Sequence, residues 1–176
     1  VNVSLLRPDA GDIVETLVEL GVKTVITAAG SPKKFTDRLK EGGAVVMHVV
    51  ANVSMAVKAA DAGVDVVIAE GTESGGVASR EEITTLTLIP QVVDAVNVPV
   101  VAAGGVGDAR GYLAARALGA HGVQMGTVFL VSKECKAISD LYKHVLIEAN
   151  DSATGIAARG GIGMRMIKNS FFQEVE

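Results

Sequence analysis

Two glycine-rich segments of this 176-residue chain are the strongest candidates for ligand chemistry. The first is Val98-Pro99-Val100-Val101-Ala102-Ala103-Gly104-Gly105-Val106-Gly107-Asp108. It reads as a buried strand that runs into a glycine pair and then a capped helix. Glycine lets backbone N–H groups come close to a ligand, and a helix N-terminus favours an anion. The second is Gly122-Val123-Gln124-Met125-Gly126-Thr127, the next strand and its exit. Two successive strand exits with Gly at the mouth match the phosphate site that (β/α)8 barrels build after their last two strands. The plain alternative is that these glycines only make tight turns.

A third segment, Ala69-Glu70-Gly71-Thr72-Glu73-Ser74-Gly75-Gly76, opens a long connection at another strand exit. Long loops at that end of parallel strands are where barrel enzymes keep their sites. Its small residues let a flat ring lie against backbone; a flexible surface loop is the alternative. Asn2, between Val1 and Val3, is a polar amide on an apolar strand and needs a partner, either a ligand or neighbouring backbone. His48 lies in Val45-Val46-Met47-His48-Val49-Val50 and reads as a satisfied core histidine. His121, at a strand start, and His144, on an amphipathic helix, read as structural. Cys135 has no His at metal-ligand spacing, so no metal site is expected. No Walker loop or G-x-S-x-G elbow is present, and Gly105-Val106-Gly107 lacks the third glycine of a dinucleotide fingerprint.

The elements that must position these residues alternate. Short Val/Ile runs at about 1–6, 23–28, 44–50, 64–69, 98–103 and 121–126 read as parallel strands buried on both faces. Helical patterns fall between them at about 10–20, 32–41, 53–62, 86–96, 109–118 and 137–148. Asp9, Ser31, Asn52 and Asp108 stand where N-caps are needed, and Gly21, Gly42, Gly63 and Gly119 where helices end. Gly21, Gly42 and Gly63 recur every 21 residues. Repeating βα units define an α/β fold with a parallel sheet, and the reading adopted is a TIM (β/α)8 barrel. About six βα units are present, so the barrel reading makes the chain a single incomplete domain over 1–176, a piece of a longer protein without its first two strands. An open sheet would need no further strands.

Composition narrows the function classes. Hydrophobic residues are 49%, charged residues 20%, and the net charge is −4, so the chain is not disordered and lacks the basic balance of a non-specific nucleic-acid binder. Aromatics are 3% with no Trp, which disfavours stacking platforms for single strands. Apolar runs fall far short of the roughly 18 residues that span a bilayer, so no membrane segment is expected. One Cys fits a reducing, cytoplasmic compartment.

Taken together the segments resemble the flavin-dependent family of FMN-containing enoyl-acyl-carrier-protein reductases and nitronate monooxygenases. The resemblance rests on the opening Val1-Asn2-Val3 strand, on residues 70–76 and 86–96, on 98–105 and on 122–127, in that order along nearly the whole chain. Val1-Asn2-Val3-Ser4-Leu5-Leu6, the Glu73-Ser74-Gly75-Gly76 wording, and the tail from Ala157 and Arg159 to Met166-Ile167-Lys168-Asn169 resemble the reductase branch. His48 resembles the monooxygenase branch. The resemblance implies FMN at the C-terminal mouth of a barrel. Gly104 and Gly105, with Gly126 and Thr127, would hold its phosphate. Gln124 and Asn2 would lie near the ribityl chain or ring, and Glu70, Gly75 and Gly76 would line the isoalloxazine side. Ala103 and Met125 complete the cofactor-binding set.

One position departs from the family, which usually places a His directly after the Gly-Gly; here it is Val77. In the monooxygenases that His resembles a general base, and Val cannot accept a proton. The expected activity is therefore reduction of an enoyl thioester, as in fatty-acid synthesis, with NADH or NADPH as reductant. The alternatives are nitronate oxidation and a non-catalytic flavin-binding barrel piece. A purine-nucleotide dehydrogenase would need a Cys in the loop at 77–80, which has none. Glu73 is a candidate proton donor by proximity. Lys33, Lys34 and Arg110 are candidate contacts for an acidic, acyl-carrier-linked substrate. The Gly-, Ala- and Arg-rich stretch 156–166 reads as a homodimer interface or a substrate-side lid.

Overall fold

The computed structural model describes residues 1–157 and 163–176. Arg159 and the centre of the expected interface or lid stretch lie outside the described residues.

Six parallel strands form the main sheet: β1 (Asn2–Ser4), β2 (Thr24–Ala28), β3 (Val45–Val50), β4 (Val66–Glu70), β6 (Val100–Ala103) and β7 (Gly122–Gln124), in the order β1-β2-β3-β4-β6-β7. Between them run α1 (Ala10–Glu19), a short 3-10 turn (Pro32–Lys34) with α2 (Thr36–Glu41), α3 (Val53–Asp61), α4 (Thr85–Ala95) and α5 (Ala109–Ala117). Strand residues alternate between faces. Val3, Val25, Val46, Val50, Val67, Ala69, Val100 and Ala102 meet the helices in one core with Val14, Leu17, Leu39, Ala56, Leu88, Ile89 and Val92. Each Val, Leu or Ile side chain among them contributes about 1.5–3 kcal/mol on burial.

The opposite face carries Ile26, Met47, Val49, Ile68, Glu70, Val101, Ala103 and Gln124. The register aligns Glu70 with Ala103 and Ala103 with Gln124, so three neighbouring strands end in one row. Among the described residues β1 and β7 do not pair, and the six strands form an open arc rather than a closed barrel.

A second, antiparallel sheet stands over the strand ends. It joins β5 (Gly76–Val77) to β9 (Met164–Ile167) and β9 to β8 (Thr154–Ala157), with Val77 opposite Met164. Arg165 ties this sheet to the loop after β4 by donating from Nε to Thr72 O at 2.8 Å. The remaining helices are α6 (Thr127–Leu130), α7 (Asp140–Ile147) and α8 (Ser170–Val175). No helix among the described residues is long and apolar enough to cross a membrane.

Several local expectations are corrected. Residues 32–41 are not one helix: Pro32–Lys34 is a 3-10 turn, and Phe35 at φ −137° interrupts the path into α2. Asn52 and Asp108 cap their helices through side-chain oxygens, accepting from Met55 N–H and from Arg110 and Gly111 N–H. Asp9 and Ser31 do not. Asp9 instead takes both Arg7 guanidinium bonds, at 2.9 and 2.7 Å. The left-handed residue after α2 is Gly43 (φ 77°), not Gly42, whose added Cβ would meet Val18 Cγ2 at 2.9 Å.

Candidate functional site

The strand ends and the loop after β4 enclose a cavity of about 360 Å³. Its floor comes from the exits of β2, β3 and β4: Ala28, Ala29, Val49, Val50, Ala51, Glu70 and Gly71. Met55 of α3 closes one side, and Val77, Ala78, Ser79, Arg80 and Glu81 form the roof. Most of this wall is apolar. Ala29 holds φ 56°, a conformation that costs a non-glycine residue about 1–2 kcal/mol. Backbone strain of this kind collects at functional sites.

Three carboxylates in or near the loop after β4 have different environments. Glu73 caps α4: its oxygens accept from Thr85 N–H at 2.9 and 3.1 Å and from Thr85 Oγ1 at 2.9 Å. The candidate proton donor of the sequence reading is therefore engaged in holding a helix end. Thr85 Oγ1 also lies 2.9 Å from Gly104 O, which ties α4 to the glycine pair. Glu81 accepts from Ser79 Oγ and from Asn52 Nδ2. Glu70, by contrast, has no basic partner among the described residues. Burial pushes its carboxyl above the usual carboxylate range, and a hydrogen bond from Ser74 only partly opposes this.

Beside the cavity, the exits of β6 and β7 form the glycine-lined corner. The backbone N–H groups of Gly105, Val106 and Gly107, and of Gly126, Thr127 and Val128, donate to no acceptor among the described residues. A Cβ added at Gly107 or Gly126 would meet nothing within 4 Å, so both border open space. Gly104 is glycine for another reason: at φ 97° its Cβ would strike Gly71 O at 2.9 Å and Thr85 Oγ1 at 3.0 Å. Asp108 already occupies the start of α5 and binds Arg110, so an anion would sit on the glycine loops rather than on that helix. Gln124 and Asn2 lie on the helix-free face, and neither amide has a hydrogen-bond partner among the described residues. The cradle of free N–H groups, with the Gln124 amide on the adjoining strand β7, fits the phosphate and polyol of FMN.

The structure thus brings Glu70, Ala103, Gly104, Gly105, Gln124, Met125, Gly126 and Thr127 to adjacent strand ends. Gly75 and Gly76 lie in the overhanging loop, with open space where a Cβ would go. Asn2 stands apart on the edge strand, paired with Ile26.

His48 is 2% exposed and shares the helix-facing side of β3 with Val46 and Val50. Its Nδ1 is 2.7 Å from Thr27 Oγ1. Burial lowers its pKa, with a hydrogen bond to Gly30 backbone opposing, so it is a neutral core group behind the sheet. His121 Nδ1 accepts from Val100 N–H at 3.3 Å, and Cys135 O accepts from the buried Lys143 Nζ at 2.6 Å. No cluster of three potential metal ligands occurs among the described residues. The placements of Ala29, Met55 and Lys143 carry no sequence signal: each depends on a fold-dependent approach.

An arc of parallel βα units, with its cavity and free N–H groups at the C-terminal strand ends, is part of an α/β barrel architecture. The chain belongs to the nitronate monooxygenase family, whose model matches residues 7–176. It is 39% identical over 175 residues to a Staphylococcus saprophyticus subsp. saprophyticus protein described as "Probable nitronate monooxygenase", which covers 93% of this chain and 49% of that one. FabK from Thermotoga maritima is 41% identical with a TM-score of 0.94, covering 98% of this chain and 55% of that one. A nitroalkane oxidase from Streptomyces ansochromogenes is 30% identical with a TM-score of 0.83, covering 96% and 52%. The chain spans about half the length of these relatives.

Proposed function

We propose that the complete protein is an FMN-dependent oxidoreductase that reduces an enoyl thioester with NADH or NADPH. The observation that carries this reading is Val77 on the cavity wall, 53% exposed, where the family resemblance places a histidine. An apolar side chain there cannot remove a proton from a nitroalkane, but it suits an acyl chain. His48 does not replace the missing base, because it is buried on the opposite face against Thr27.

The free N–H groups of Gly105–Gly107 and Gly126–Val128 would hold the FMN phosphate, and Gln124 and Asn2 would meet its polyol. Bound FMN supplies the hydride-transfer chemistry. The apolar cavity walls would orient the acyl group and exclude water, which strengthens every polar contact inside. An acyl-carrier-linked substrate would meet Lys33 and Lys34 on the turn that follows β2. Arg110 is less suited, since Asp108 neutralises it.

Nitronate oxidation is the second reading, supported by the family match and the curated relatives. Parallel assays of the full-length protein separate the two. The proposal expects enoyl-thioester-dependent NAD(P)H consumption and little nitronate-dependent oxygen uptake. It also expects Val77→His to raise oxygen uptake by about 10²-fold, the lower end of general-base contributions. Strong nitronate-dependent oxygen uptake by the wild type would overturn it.

A further inference from the structure

We propose that Glu70 is the proton donor of this cavity, the catalytic acid that completes reduction of the substrate. This rests on the enoyl-thioester reading above.

Glu70 ends β4 on the helix-free face, in register with Ala103, and lines the same cavity as Val77. The other acids near the cavity are engaged: Glu73 with the start of α4, Glu81 with Ser79 and Asn52. Arg80 and Glu81 are the remaining charged groups on the cavity wall, and neither pairs with Glu70. Its neighbours from β2, β3 and α3 are Ala28, Val49, Val50 and Met55, none of which can titrate. Burial in such a setting raises the carboxyl above its ordinary range, and a hydrogen bond with Ser74 opposes this in part. A carboxyl placed on the wall of an apolar cavity is within reach of a bound substrate and can act as a general acid.

Bound FMN would supply the hydride. Hydride adds at the β-carbon of the enoyl thioester. The π-electron pair moves to the α-carbon and forms a C–H bond with the proton of Glu70. The carboxyl O–H bond breaks, leaving a carboxylate that regains a proton from water through the cavity mouth. The same carboxyl, once ionised, could not serve, so the rate should fall as pH rises through its ionisation.

The test uses the full-length, FMN-loaded protein and two readouts. Infrared absorption of wild type minus Glu70→Gln reports whether residue 70 carries a proton at neutral pH. Rates of enoyl-thioester reduction over pH are then compared for wild type, Glu70→Asp and Glu70→Gln. The expected result is a protonated-carboxyl band that Glu70→Gln removes. A rate loss of about 10²-fold or more should accompany it in Glu70→Gln, with partial retention and a shifted alkaline limb in Glu70→Asp. A Glu70 ionised at neutral pH overturns the proposal, as does a Glu70→Gln variant with the wild-type rate and pH profile. If the wild type is bleached by NAD(P)H yet leaves enoyl thioesters untouched, the substrate reading is what fails. The infrared band then decides whether Glu70 holds the proton.

Discussion

Glu73 and Glu70 lie three residues apart and do opposite things. Glu73 satisfies two donors of Thr85 at the start of α4, where Thr84 provides no side-chain cap. Because Thr85 also reaches Gly104 O, the carboxylate indirectly fixes the glycine pair. Loss of a helix cap costs about 0.5–2 kcal/mol. Glu73→Ala should therefore destabilise the full-length protein by about 1 kcal/mol in urea unfolding, and Glu73→Gln by less. If Glu73 were instead a reacting acid, Glu73→Gln would abolish turnover while leaving stability untouched. The sequence shows both residues as acids in a glycine-rich loop. It does not show that one is paired with a helix end and the other partly buried at a strand end, because that difference arises only when the loop folds over the strand ends.

At the level of elements, β3 illustrates how alternation separates core from site. Val46, His48 and Val50 face the helices, while Met47 and Val49 face the open side. His48 is held below its ordinary value of 6.5, first by burial. The unfolded chain then binds a proton at a higher pH than the folded one. Stability contributed by the neutral form is full above the unfolded value and lost as pH falls below it. From about pH 7 to about pH 5, stability should fall, and fall less in His48→Gln, as followed by thermal unfolding. The six parallel strands were legible because strands covered by helices read as short Val/Ile runs. Two N-caps, Asn52 and Asp108, were legible for the same local reason. The antiparallel β5, β8 and β9 were not. Gly76–Val77 is two residues long, and Thr154–Ala157 has no period-two pattern, so pairing is supplied by the strands' approach to one another. The break at Phe35 was also hidden, since Lys33 to Lys40 has no Gly or Pro to mark it.

The whole molecule is an arc of six parallel strands with helices on one face and a helix-free face opposite. The cavity, the free N–H groups and the row Glu70, Ala103, Gln124 all gather at its C-terminal ends, as the sequence indicated from Gly104-Gly105 and Gly126-Thr127. The departure at Val77 was equally plain in the sequence; its place on the cavity wall was not, because it depends on β5 pairing with β9. These features make one central claim: the glycine-lined corner holds a flavin that accepts hydride beside an apolar cavity. The most direct measurement is the visible absorbance of the purified full-length protein before and after anaerobic NAD(P)H. The account predicts a bound flavin spectrum that NAD(P)H bleaches and an enoyl thioester restores. A protein that stays colourless when FMN is added, or whose flavin NAD(P)H leaves oxidised, would contradict it.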